Sequence, residues 1–275
     1  APAGGALAAP GVGLTVVALP NGAALAVGGS HSDPNNRVTT NLDAVQRFTP
    51  ATNTWSLAGK LVAPRPSSPS VTLLKNGSLL VLGGTYDTTV PWGELFDPAT
   101  GTSKAIPAPP QAFGSYWAAG AVPDGRALVA GAKRIFLFDP VTLTWTTTAI
   151  ATTLDNVAAV VTTSTDTTFI HSGNQAQTVN LTTGTCTPIA LGLDYVFHQL
   201  PLANGLVLLA GEMPLNPNTQ MPALALLNPA NGVSRVLPLP RMAVRTLSLL
   251  PDGRVFLLYG DQGTSEILDL SRLLP

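Results

Sequence analysis

Few side chains in this chain are equipped for chemistry, and the ones that are do not all sit in places a repeated pattern explains. Of the three glutamates, Glu94 and Glu266 fill one slot in two copies of a phrase, ELFD and EILD. Glu212 has no such counterpart: it ends the apolar run LVLLAGE where sister runs carry a second glycine. A lone carboxylate among apolar neighbours is expected to hold its proton to higher pH and to serve as general acid or base, and an ordinary loop glutamate paired with an arginine is the competing reading. His198 lies beside Tyr195 and Phe197, a neighbourhood suited to a site, and Arg245 is a cation at the matching place of the next repeat. Glu212, Arg245 and His198 are therefore the candidate catalytic residues.

The remaining chemistry-bearing residues read more plainly. His171 takes a slot filled elsewhere by Ala26, Val81, Val129, Leu209 and Leu257, which marks it as a buried, hydrogen-bonded core residue; His31, in SHSDPNNR, reads as solvated. No histidine or cysteine spacing matches a zinc site, and the loops at Asp33, Asp87 and Asp261 are too sparse in acids for calcium. Cys186 is alone, so no intrachain disulfide and no paired-cysteine metal motif is available. No metal and no cofactor is expected. The absence of GxSxG disfavours covalent hydrolysis.

What must position these residues is a repeat. LKNGSLLVLGG (74–84) recurs as LPNGAALAVGG (19–29), VPDGRALVAGA (122–132), LANGLVLLAGE (202–212) and LPDGRVFLLYG (250–260), with a degenerate copy TSTDTTFIHSG (163–173). Each is two apolar runs around an Asn-Gly or Asp-Gly pair, the signature of a tight β-hairpin. A second phrase, ELFDPATG (94–101), returns as RFTPATNTW, LFDPVTLTW, TVNLTTG, LLNPANG and ILDLS. Turn glycines, with Thr167 in the slot of the missing one, are spaced by 55, 48, 42, 38 and 48 residues, so each unit carries four short strands, the size of a propeller blade. The expected fold is all-β: one six-bladed β-propeller domain over 1–275, four antiparallel strands per blade, with blades near 11–58, 67–106, 114–150, 156–190, 196–238 and 244–275. The sixth unit stops short of a fourth strand, and residues 1–8 are expected to supply it and so close the ring.

In a meander whose first strand is innermost, the Asn-Gly and DPxTG turns share one side, while second-to-third loops and inter-blade links share the other. The first side is short and repetitive; the second varies, so the site belongs there. Aligned on the turn glycines, the links place Arg65, Phe113, Asp155 and Arg241 at one level, then Tyr116, Trp117, Phe197 and Arg245, with Tyr195 close by. This is an apolar and aromatic mouth carrying guanidinium groups, suited to a compact ligand with an apolar body and an anionic or carbonyl end. The expected ligand-binding residues are Arg65, Phe113, Tyr116, Trp117, Asp155, Tyr195, Phe197 and Arg241. A second reading has Arg65 and Arg241 tying inter-blade backbone carbonyls together.

With the double glycine, the turn and DPxTxxW recurring in order, the chain resembles the kelch and galactose-oxidase central-domain repeats over almost its whole length. That resemblance implies a propeller and leaves function open, since such domains serve as oxidases, a mutarotase, specifier proteins and interaction scaffolds. The family's RxxH pattern keeps its Arg only at Arg65 and Arg241 and its His nowhere. Gly211-Glu212 is similar to a Gly-Glu pair in the sialic-acid mutarotases, but the Arg that family has six residues on is Asn218 here. The copper site of galactose oxidase takes two His, two Tyr and a cross-linked Cys, and the three histidines and outlying Cys186 of this chain depart from it.

Composition bounds the partners. Net charge is −1 with no basic stripe, so nucleic acid and acidic membranes are not expected, and no apolar run reaches the ~20 residues of a membrane helix. A chain opening APAGGALAAP, poor in Lys, reads as the mature form of an exported protein, secreted or periplasmic, acting as a monomer. Two function classes stand: a small-molecule site in the central mouth, binding only or performing isomerisation or cyclisation through Glu212, and a protein- or glycan-interaction scaffold.

Overall fold

The computed structural model describes residues 5–33, 38–111, 117–163, 167–202, 204–216, 219–239, 244–250, 252–259 and 265–270. It is a six-bladed β-propeller. Five sheets are four-stranded meanders: Thr15–Ala18, Ala24–Val27, Ala44–Thr49 and Thr54–Lys60 in blade one; Ser70–Leu73, Leu79–Leu82, Gly93–Asp97 and Thr102–Ile106 in blade two; Trp117–Ala121, Ala127–Gly131, Arg134–Asp139 and Thr144–Ala151 in blade three; Ala159–Thr162, Thr167–Ser172, Gln175–Asn180 and Thr185–Ile189 in blade four; Tyr195–Pro201, Val207–Asn216, Thr219–Asn228 and Val233–Pro238 in blade five. Blade six shows three strands among the described residues, Val244–Leu249, Val255–Tyr259 and Ser265–Leu268. A small hairpin, Ser30–Ser32 with Thr39–Asn41, rises from blade one.

From blade one to blade six, each first strand lies against the first strand of the blade that follows it in the chain, which places these strands around the axis. Approach there is close. A Cβ on Gly120 would stand 2.6 Å from the Val160 side chain, and the Thr72 hydroxyl donates to the Ala119 carbonyl at 2.9 Å. Because successive side chains of a strand point to opposite faces, each second strand feeds two cores. Leu79 and Val81 pack with Leu25, Val27 and Val45 of blade one, whereas Leu80 and Leu82 pack with Val129 and Phe138 of blade three. The same division joins blades three to four, four to five and five to six.

The hairpin turns are the three-residue form rather than the two-residue one that Asn-Gly favours. Gly22 donates to the Leu19 carbonyl, Leu19 closes on Ala23, and the Asn21 side chain accepts from the Ala23 amide. The glycine holds the left-handed position, φ 80° at Gly22 and 86° at Gly77.

Among the described residues, 5–8 form no strand of blade six, and residues 1–4 lie outside the described residues, so the closure expected of residues 1–8 is not shown. Gly5 donates to the Asn53 carbonyl, and Ala9 exchanges two hydrogen bonds with the buried Gln46 amide, so this segment is tied to blade one. Gln46 is fully buried, and an unpaired amide there would be costly, which is the physical reason the segment goes to blade one.

Candidate functional site

A cavity of about 550 Å³ opens among blades two, three and four on the side of the inter-blade links. Its wall is built from residues 67–70, which link blades one and two, residues 83–86, which follow the second strand of blade two, Trp117 and Ala118 at the start of blade three, and Val157 and Ala158 just before blade four. The lining offers hydroxyls, an indole and small apolar groups, and no charged side chain lies in it among the described residues.

Trp117 is fixed from below. Its ring stacks on Trp92 with centroids 4.5 Å apart and planes 18° from parallel, Trp92 meets Trp145 edge-on at 5.8 Å, and Trp145 leans on Phe138 at 4.8 Å. The Trp145 indole N–H donates to the Pro107 carbonyl at 2.9 Å. Gly83, φ 61°, passes so close under Trp117 that a Cβ there would be 2.7 Å from its Cζ2. Ser68 holds φ 41°, an uncommon state for a residue with a side chain, while its amide donates to Gly13 at 2.9 Å and that of Ser67 to Gly84 at 3.0 Å.

The residues expected at the mouth divide. Trp117 lines the cavity. Arg65 does not: it is fully buried, paired with Glu94 at 2.9 Å, and its guanidinium also donates to the carbonyls of Gly83 and Pro91. Its reading as a carbonyl staple is the one its contacts match, and the ligand-binding assignment is corrected accordingly; a guanidinium surrounded by a carboxylate and two carbonyls has no reason to face a ligand. Asp155 is an exposed rim residue, 3.3 Å from Lys133. Phe113, Tyr116 and Arg241 lie outside the described residues.

Glu212, Tyr195 and His198 come together elsewhere, on the face of blade five that looks toward blade six. Tyr195 pairs with Glu212 across the first two strands, and after a bulge at Phe197 the pairing resumes with His198 opposite Ala210. Tyr195 and Phe197 are about half exposed, their rings within 5° of parallel with centroids 6.5 Å apart. His198 is half-buried; burial lowers its pKa, and a hydrogen bond to the Val244 backbone partly opposes this. The first strand of blade six carries a matching register shift between Val244 and Thr246, at Arg245, which is described in its backbone only. Bulges of this kind re-aim one side chain and are common beside functional sites. Tyr195, Phe197, His198 and Glu212 do not line the cavity.

Glu212 does not begin a loop. The second and third strands of blade five continue past it as a ribbon paired from Val207–Leu227 to Asn216–Thr219. In blades three and four the same connection is a two-residue turn, closed by the Gly131–Arg134 and Ser172–Gln175 pairs. The cavity lies on the face where sequence reasoning expected a site and includes Trp117, whereas Trp92, residues 83–86 and the serines of 67–70 were not among the expected residues. The available signal was the long stretch after Gly83-Gly84 in blade two and its Trp92 before the third strand.

No family model and no curated protein matches the sequence. Among solved structures, the chain is similar to a fungal alcohol oxidase of the AA5 family in complex with copper, at TM-score 0.66 and 16% identity over 94% of this chain and 63% of that one. It is also similar to the extracellular domain of a hybrid two-component system from B. thetaiotaomicron, at TM-score 0.60 and 11% identity over 94% of this chain and 34% of that one. The chain therefore spans less than two thirds of either. The donor set does not fit copper. His31 is on the exposed hairpin of blade one, His171 between blades four and five, and His198 toward blade six, and among the described residues no three His, Cys, Asp or Glu cluster to hold a metal. What the chain shares with these structures is its fold, a β-propeller.

Proposed function

We propose that this propeller binds a compact, uncharged organic molecule in the cavity between blades two, three and four. The observation that carries this reading is the composition of the wall: an indole anchored by a second tryptophan, surrounded by serine and threonine hydroxyls, with no fixed charge among the described residues. An anionic ligand would meet no counter-charge among the described lining residues, because Arg65 is consumed internally. A neutral molecule that lays an apolar face on Trp117 and turns hydroxyl or carbonyl groups toward the serines meets the wall on both counts. Export is part of the proposal, in keeping with the extracellular domain among the similar folds.

Saturation-transfer NMR on size-matched neutral polyols, ketones and carboxylates tests it. Contacts from the neutral compounds, lost in Trp117→Ala with the fold retained, support the reading; contacts from carboxylates alone, or contacts that survive Trp117→Ala, sink it. Acid–base turnover is the second reading, favoured by the carboxylate of Glu212, the phenol of Tyr195 and the imidazole of His198 on one face of blade five. In that reading Glu212→Gln lowers turnover by ~100-fold and leaves binding in the Trp117 cavity unchanged.

A further inference from the structure

We infer that the buried Arg65–Glu94 pair is a positioning device for the cavity, setting the wall formed by residues 83–86 and the Trp92–Trp117 stack; this rests on the cavity being the binding site. Arg65 gathers four pieces of backbone. Its own amide donates to Leu42 at 3.1 Å and its carbonyl accepts from Gly29 at 2.8 Å, which hold the two ends of the second-to-third connection of blade one. Its guanidinium donates to Gly83 at 2.9 Å and to Pro91 at 2.8 Å, the two ends of the same connection in blade two.

Glu94 completes the arrangement. One oxygen takes both Nε and an Nη of Arg65 at 3.1 and 2.9 Å, and the other accepts from the Val62 amide and, at 2.6 Å, the Ser103 hydroxyl. Both side chains are fully buried. Only a planar fork reaches two carbonyls and a carboxylate at once, and an ammonium in its place is a point charge. The two carbonyls matter because of what adjoins them: Gly83 runs beneath Trp117, and Pro91 precedes Trp92, the ring on which Trp117 stacks. Fixing both ends of the segment limits where its middle, which lines the cavity, can go.

The test reads the wall without any ligand. Stacked indoles give a far-ultraviolet exciton couplet in circular dichroism, which Trp92→Phe removes and so calibrates. Replacing one partner strands a buried charge, so the first variant changes both, Arg65→Met with Glu94→Leu, since apolar replacement of a buried pair is often tolerated. The expected result is a cooperative melt with the couplet reduced by half or more and acrylamide quenching of tryptophan fluorescence raised about twofold. Should that variant not fold, Arg65→Lys, which keeps the charge opposite Glu94 and loses the fork, is read in the same way. A folded variant of either kind with the wild-type couplet and quenching overturns the inference. Because neither readout involves a bound molecule, a cavity that takes none of the neutral compounds refutes the binding proposal separately.

Discussion

His171 is 1% exposed, its ring lies over Phe169, its Nε2 meets the Gln199 side chain at 3.2 Å and its Nδ1 has no partner. Burial lowers its pKa from the ordinary 6.5, partly countered by Gln199, so the fold holds the ring neutral. Its contribution to stability is therefore whole above about pH 6.5 and is lost as pH falls toward the lower folded value. A second loss lies further down. Asp97, Asp124, Asp139 and Asp252 accept turn N–H and side-chain donors that hold their carboxylates below the ordinary 3.8, so their contribution is present above that value and disappears beneath it. Thermal melts from pH 8 to pH 3 should decline in two steps, and His171→Leu, which installs the residue found at Leu209 and Leu257, should shrink the upper step, leaving the part that half-buried His198 contributes, and should leave the lower step unchanged. A flat profile between pH 7 and 5 in the wild type would refute the assignment. The slot of His171 was legible because five sister residues at it are apolar. For Arg65 the carbonyl-tying role was one of two readings, and what was not legible is its partner, since the carboxylate that occupies it is 29 residues away in a position that looks like part of the repeat.

Elements differ in how far their residues suit their turns. Blade three joins its second and third strands through Ala132 and Lys133, with φ of 48° and 62°, a turn that needs two left-handed residues and normally takes Asn-Gly. The Cβ atoms cost about 1–2 kcal/mol each in that region for ordinary residues. Lys133 loses little else if replaced, because its ion pair with Asp155 is exposed on both sides. Ala132→Asn with Lys133→Gly should therefore raise stability by about 1–2 kcal/mol, or ~3–6 °C in Tm, measured by calorimetry, with the cavity unaltered. A lower Tm would show that the turn carries no such strain. The same scale explains why the blade-five ribbon was not legible. Pro214 and Pro222 punctuate it, and a proline has no ladder donor, yet both hold register opposite Gln220 and Glu212 because they fall where strand pairing tolerates it.

At the scale of the molecule the repeat dictates five similar interfaces and leaves the sixth to be made differently. In the second strands, the residues that face the following blade are fully buried in blades one, two, three and five: Leu25, Leu80, Leu128 and Leu208. Their counterpart in blade six, Phe256, is only half-buried, and Ile267 beside it is 49% exposed. The opposite face of blade one keeps Val16 at 62% and Leu57 at 55% exposure but hides Gln46 completely. What covers that glutamine is the N-terminal segment, through Ala9. Removing residues 1–9 should cost the two hydrogen bonds to Gln46 and the one from Gly5 to Asn53, about 1–3 kcal/mol, which lowers Tm by ~3–8 °C in a chain of this size. The glutamine gives the check its specificity. In a Gln46→Leu background no buried amide is left to satisfy, so the same deletion should cost less than half as much, the non-additivity expected of two groups in direct contact. Equal losses in the two backgrounds would mean that the segment stabilises the propeller by some route other than Gln46, and an unchanged Tm on deletion from the wild type would mean that blade one needs no cover at all.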